Sequence, residues 1–295
     1  MRKKLALPAL LAVAALALTG CVDNSGGSTP DNSAASNVTV DKAARDLLPA
    51  GVIETGKLIV GMDATYPPNE YKDADGKPIG WEVELMDAIA AKLGLTTDYQ
   101  LAKFDNIIPS ITGGKYNVGM SSFFDNPERQ LQVDLVDYYT AGIQWAQKKG
   151  EAAVDPDNAC GLKVAVQNGT YQALEDVPAR SAACEAAGKA PIEILGYDTQ
   201  DDATAAVALG RAAAFTADSP VTQYAVLKSD GKLELAGEVY EVVFYGMPVD
   251  KASELAEPLK LAVQALIDDG TYGKILAAWG VESGAITKAE INGAK

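Results

Sequence analysis

Ser121, Ser122 and Arg129 stand close together in FDNIIPSITGGKYNVGMSSFFDNPER, residues 104–129, and such a set can hold a carboxylate. Arginine offers a planar fork of two donors, and hydroxyls and free backbone N–H groups fill the remaining lone pairs. The same residue types also make ordinary solvated loops, so their placement decides. Phe104, Ile107, Ile108 and Ile111 have the i, i+3, i+4, i+7 spacing of an amphipathic helix, which Gly113-Gly114 stops. A strand is predicted over Val118–Ser122, apolar until it delivers the two hydroxyls. Pro127 opens a new turn, and Arg129 lies one turn inside it.

Composition removes several chemistries. The 295 residues include 25 basic and 40 acidic side chains and no histidine, for a net charge of −15. So acidic a body repels phosphate backbones, which excludes nucleic acid as a partner. Without histidine there is no Ser-His-Asp or Cys-His catalysis, and a zinc site lacks its usual nitrogen ligand. No cofactor or metal is expected.

Arg2, Lys3 and Lys4 precede an apolar run, Leu5–Leu18, that closes in LTGC at Cys21. The run is too short to span a bilayer and reads as an export signal, residues 1–20. Leu-Thr-Gly-Cys resembles the lipobox of bacterial lipoproteins, which implies a lipid-modified Cys21 anchored to the outer face of the cell membrane. An ordinary signal peptide with a chance cysteine is the alternative. Ser, Asn, Asp and Gly dominate the next stretch to about Val40, so residues 21–45 are expected as a flexible tether running into a short helix and turn over Asp41–Thr55. About 270 residues remain, enough for two lobes. Losing the three basic residues takes the charge from −15 to −18. Cys160 and Cys184 are then left as a pair, which in an exported chain reads as a disulfide. A nucleophilic cysteine is the other reading, but no general base stands ready for it.

Apolar strands alternate with helical segments along the rest. Strands are predicted over Leu58–Met62, Asp98–Leu101, Ile143–Gln147, Leu162–Val166, Ile192–Leu195, Ala213–Thr216 and Glu241–Tyr245. Helices are predicted over Trp81–Leu93, Asp201–Leu209, Ser219–Lys228, Ala252–Asp269 and Tyr272–Trp279, and from near Tyr171 with Thr170 as cap. The alternation gives an α/β class, with ligands expected off the carboxyl ends of strands.

In order and spacing, LIVGMDATYPPNEYKDADGKPIGWEVELMDAIAAKLGL, the Ser-Ser strand with its Pro-Glu-Arg turn, and DLVDYYTAG resemble the solute-binding proteins of polar amino acid ABC importers. The likeness runs from about Leu58 to about Val281. It implies a two-lobed periplasmic-binding-protein fold (type II), with a ligand cleft between lobes joined by two hinge crossings. Lobe 1 would take residues 46–147 and 243–284, lobe 2 residues 148–242, and a C-terminal tail 285–295. It further implies a monomeric, non-enzymatic protein that delivers a free amino acid to an ABC permease.

In this resemblance Arg129 grips the ligand α-carboxylate, with Ser121, Ser122, Gly169 and Thr170 completing that end and reaching the α-amino group. Asp218 takes the ammonium. Tyr66 and Phe104 sandwich the side chain, and Asp63 reads its far end, favouring a basic or amide head. Arg129 is expected to be unburied before ligand arrives. Three positions depart from the pattern: Phe124 replaces a small hydroxyl, Asn126 a threonine and Glu82 an aspartate. Phe124 is expected to narrow the pocket, Asn126 to donate through its amide, and Glu82 to cap its helix. The rival function is a cyclohexadienyl- or arogenate-type dehydratase on the same fold, with Glu82 or Asp63 as proton donor.

Overall fold

The apolar run Lys57–Met62 forms strand β1 in the computed structural model, which describes residues 38–294. Cys21 and the signal segment lie outside the described residues. Two short helices occupy residues 41–55, where a short helix and turn are expected. Helix α1 (Lys42–Arg45) is capped by Asp41, and Arg45 Nη1 donates to the carbonyls of Leu93 and Gly94 at 2.8 Å. Helix α2 (Ala50–Thr55) leads into β1.

After β1 come three short antiparallel strands, β2 (Thr65–Tyr66), β3 (Glu70–Lys72) and β4 (Pro78–Ile79), which form a small separate sheet. Helix α3 (Trp81–Lys92) buries Trp81, Leu85, Ala88 and Ile89, as its periodicity requires. Strand β5 (Thr96–Leu101) pairs parallel with β1. Phe104–Asn106 is a 3₁₀ turn that runs into α4 (Ile107–Thr112). The strand predicted to Ser122 ends at Gly119; this is β6 (Val118–Gly119). Ser122 has φ of +53°, a left-handed conformation that breaks pairing. Helix α5 (Pro127–Gln130) follows, capped by Asn126.

The chain then crosses between lobes in β7 (Asp134–Lys148) and returns in β11 (Leu233–Val249), two long antiparallel strands. Between them lie β8 (Lys163–Gln167), a π turn over Gln172–Asp176, α6 (Val177–Ala186), β9 (Glu193–Tyr197), α7 (Gln200–Ala208), β10 (Ala214–Asp218) and α8 (Ser219–Lys228). Helices α9 (Ala256–Asp268) and α10 (Thr271–Trp279) close lobe 1. One eight-stranded sheet, ordered β5-β1-β6-β11-β7-β10-β8-β9, runs through both lobes.

β10 pairs with β7 over Ile143–Gln147, so these residues belong with lobe 2, upstream of the expected break at 147/148. The β7–β11 register slips between Ala236 and Tyr240, between Tyr240 and Val243, and again at Tyr245/Gly246. The first two slips mark the crossing. The C-terminal segment is no loose tail: Asp137 N donates to Glu290 O, and Asn292 pairs with Leu135 and Asp134. Cys160 and Cys184 are disulfide-bonded, pinning α6 to the loop before β8.

Candidate ligand-binding site

Strand ends from both lobes deliver polar side chains to one slot. Asp63 follows β1, Gln167 ends β8 and Asp218 ends β10, as the placement of ligands at carboxyl ends predicts. The slot is lined by Asp63, Tyr66, Phe104, Ser121, Ser122, Arg129, Thr170 and Asp218, all expected from sequence, and by Glu70, Phe124, Gln167, Tyr171 and Gln172. The slot is narrow: the space between these residues, part of it open to solvent, is about 310 Å³. Gly169 lines the neighbouring groove. Its φ is +78°, and an added Cβ would lie 2.8 Å from Asp105 Cβ, so only glycine lets this lobe 2 turn meet lobe 1.

The lobes are closed on one another by direct bonds. Gln167 Nε2 donates to Asp63 Oδ2 at 2.8 Å, Asp218 N to Tyr66 Oη at 3.1 Å, and Arg129 Nη2 to Gly169 O at 3.4 Å. At the rim Lys103 and Asp198 form an exposed ion pair at 2.6 Å.

Two groups of charge occupy the slot. In one, Arg129 Nη1 donates to Phe124 O at 2.8 Å, and the guanidinium lies over the Phe104 and Phe123 rings. Burial holds its pKa down to about 10, with Asp218 opposing. Arg129 is buried in this closed conformation. Asp218 accepts from Gln172 Nε2 and from Tyr245 Oη, both at 2.7 Å. Burial lifts its carboxyl to about 7 against those donors. It occupies the N-cap position of α8 without a side-chain cap bond.

In the other group, Asp63 accepts from Thr65 Oγ1 at 2.8 Å and from Phe104 N at 3.1 Å besides Gln167, and burial raises its pKa. Its N–H donates to Ser121 Oγ, which donates to Glu70 Oε1 at 2.7 Å. Glu70 is wholly buried.

Three expected side-chain roles change. The Ser122 hydroxyl is committed behind the wall, accepting from Asn69 Nδ2 and donating to Glu82 Oε1, both at 2.8 Å. Glu82 does not cap its helix but receives Ser122 and Tyr138. Asn126 accepts from Arg129 N and so caps α5 rather than donating. Thr170 does cap as expected, accepting from Ala173 N at 3.2 Å. Phe104 stacks on Phe123 at 4.5 Å while lining the slot. Gln167, Gln172 and Glu70 were missed by sequence reasoning. The first was findable, because it ends a strand just before the Asn168-Gly169-Thr170 turn.

A model of the bacterial extracellular solute-binding proteins, family 3, matches residues 58–282. The arginine-binding protein ArgT of Corynebacterium glutamicum is 41% identical over 276 residues, covering 93% of this chain and 91% of ArgT. An ancestral arginine-binding protein bound to arginine superposes with a TM-score of 0.69 at 32% identity, over 76% of this chain and 98% of that one. Bound to glutamine, it gives a TM-score of 0.68 at 32% identity, over 77% and 99%.

Proposed function

The chain belongs to the bacterial extracellular solute-binding proteins, family 3, and on that premise we propose that it binds a cationic amino acid, arginine first, and delivers it to an ABC import permease. The charge layout of the slot carries this reading. Arg129 and Asp218 suit an α-carboxylate and an α-ammonium. The buried carboxyls of Asp63 and Glu70 suit a side chain that brings donors. Tyr66 and Phe104 line the slot as apolar walls, and Ser121, Gly169 and Thr170 complete the α end. Closure follows from the ligand bonding both lobes at once, which favours the closed state.

A calorimetric panel tests the reading. Arginine, lysine and ornithine should bind at least about tenfold tighter than glutamate, with glutamine and asparagine between. Tight glutamate binding would overturn it. Ligand retained through purification and identified by mass spectrometry is an independent check. Because Glu70 is a buried acid in the slot, a dehydratase reading has a proton donor, and turnover of a prephenate-like substrate would favour it.

The mature protein is monomeric and extracytoplasmic, held at the membrane by acylated Cys21 on its tether. Cys21→Ser should release it from the membrane fraction or stall processing. Unchanged retention would refute the anchor.

A further inference from the structure

Glu70 stands on β3 with unequal oxygens: Oε1 accepts from Ser121, whereas Oε2 meets no donor group among the described residues. Its carboxyl neighbours the equally buried Glu82, whose charge acts on it. Glu82 is the better supplied of the two. It accepts from Ser122 N at 3.2 Å, Ser122 Oγ at 2.8 Å and Tyr138 Oη at 2.6 Å. Three donors favour a charged carboxylate, and one donor does much less. Two neighbouring buried carboxyls disfavour each other's charge, and the better supplied Glu82 leaves the proton mainly on Glu70.

We propose that Glu70, set by Glu82 behind it, is a specificity residue that releases its proton when a cationic side chain enters the slot and keeps it when an amide enters. The proposal rests on the reading of the slot as a cationic amino acid site. A guanidinium or ammonium supplies the partner that Oε2 lacks, and the proton leaves to solvent. An amide brings no charge, so a neutral Glu70 can serve it as donor. Preference for arginine over glutamine should therefore grow by about tenfold per pH unit while Glu70 is protonated in the free protein.

The other groups facing the pair are Asp63 after β1, Tyr66 on β2, Tyr138 on β7 and Tyr245 on β11, with Lys72 acting on Asp63. None is a cation in contact with Glu70. Burial, then the Glu82 charge, pushes the Glu70 carboxyl well up. Asp218 also titrates near neutrality, but it faces the α-ammonium that every amino acid shares.

Calorimetry at pH 7 in buffers of different ionisation enthalpy counts the protons, using the mature full-length protein with arginine and glutamine as probes. Arginine should release about one proton more than glutamine, the shared α groups cancelling what Asp218 contributes. Equal counts with arginine bound would overturn the proposal and leave the cationic site standing. Failure to bind arginine would remove both. Glu70→Gln should abolish the difference; its persistence would assign the proton to Asp63 and overturn the role of Glu70. In Glu82→Gln the pH at which the difference is largest should move down, because the like charge is gone. An unmoved profile would overturn the part given to Glu82. The wild-type count decides the matter even if that variant fails to fold.

Discussion

Arg129→Met should separate recognition from folding. Methionine keeps much of the length and removes the charge. A bound amino acid then loses the partner of its α-carboxylate, and truncating one member of a desolvated charge pair costs about 2–5 kcal/mol, roughly 30- to 5,000-fold in Kd. The closed conformation loses the bonds to Phe124 O and Gly169 O and the ring contacts at 5.3 and 5.5 Å. It also sheds the cost of burying the guanidinium, which holds the Arg129 pKa at about 10 instead of 12.5. At about 1.36 kcal/mol per tenfold, the site disfavours that charge by on the order of 3 kcal/mol net of its local bonds. The variant should therefore unfold in denaturant at or above the parent's midpoint, with binding read separately by calorimetry. A ligand-free protein weakened by more than about 2 kcal/mol would refute the reasoning and make Arg129 a structural residue.

Burial raises the Asp218 carboxyl to about 7, so its favourable contribution to stability is full below the unfolded value of about 3.9 and is lost as pH climbs through about 7. Asp218→Asn should remove that decline from a denaturation series across pH. Binding runs the other way: glutamine affinity should fall below about pH 7 in the parent and stay level in the variant, and a level parent profile would contradict this. Replacing Cys160 and Cys184 by alanine frees a loop of sequence separation 24 and should cost about 3.5 kcal/mol, with affinity unchanged under native conditions. A loss under about 1 kcal/mol would show that the reduced chain keeps the loop ordered. Gln167→Leu removes a donor that ties lobe 2 to Asp63, so every ligand should weaken by about tenfold alike. Selective loss of arginine alone would show that this pair reads the side chain.

The slot was legible where its residues sit in contiguous motifs at strand ends. Ser121 and Arg129 announced themselves by type and spacing, whereas Thr170 and Asp218 read as helix caps until the family likeness placed them. Glu70 did neither, because its approach to Ser121 spans 51 positions and brings β3 of the small sheet to the turn after β6. The role of Ser122 was misread for a similar reason. Its left-handed backbone turns the hydroxyl toward Asn69 and Glu82, which no local pattern encodes. Only the second half of β7 was predicted, since the strand is buried on both faces and shows no alternation to mark its full length. Sequence carries no information on how tightly the lobes meet around Arg129.

The two crossings also fix an order of assembly along the chain. Everything lobe 2 needs lies in one contiguous stretch, from Ile143 on β7 to its partner Tyr240 on β11. Lobe 1 has no such autonomy, since β6 waits for Val249 and β7 for Ile291, near the last described residue. As the chain emerges from its N-terminus, the second lobe can close its core while the first is still an open sheet edge. That half-finished edge keeps β7 backbone groups unpaired until Glu290, Ile291 and Asn292 bond to Asp137, Val136 and Leu135.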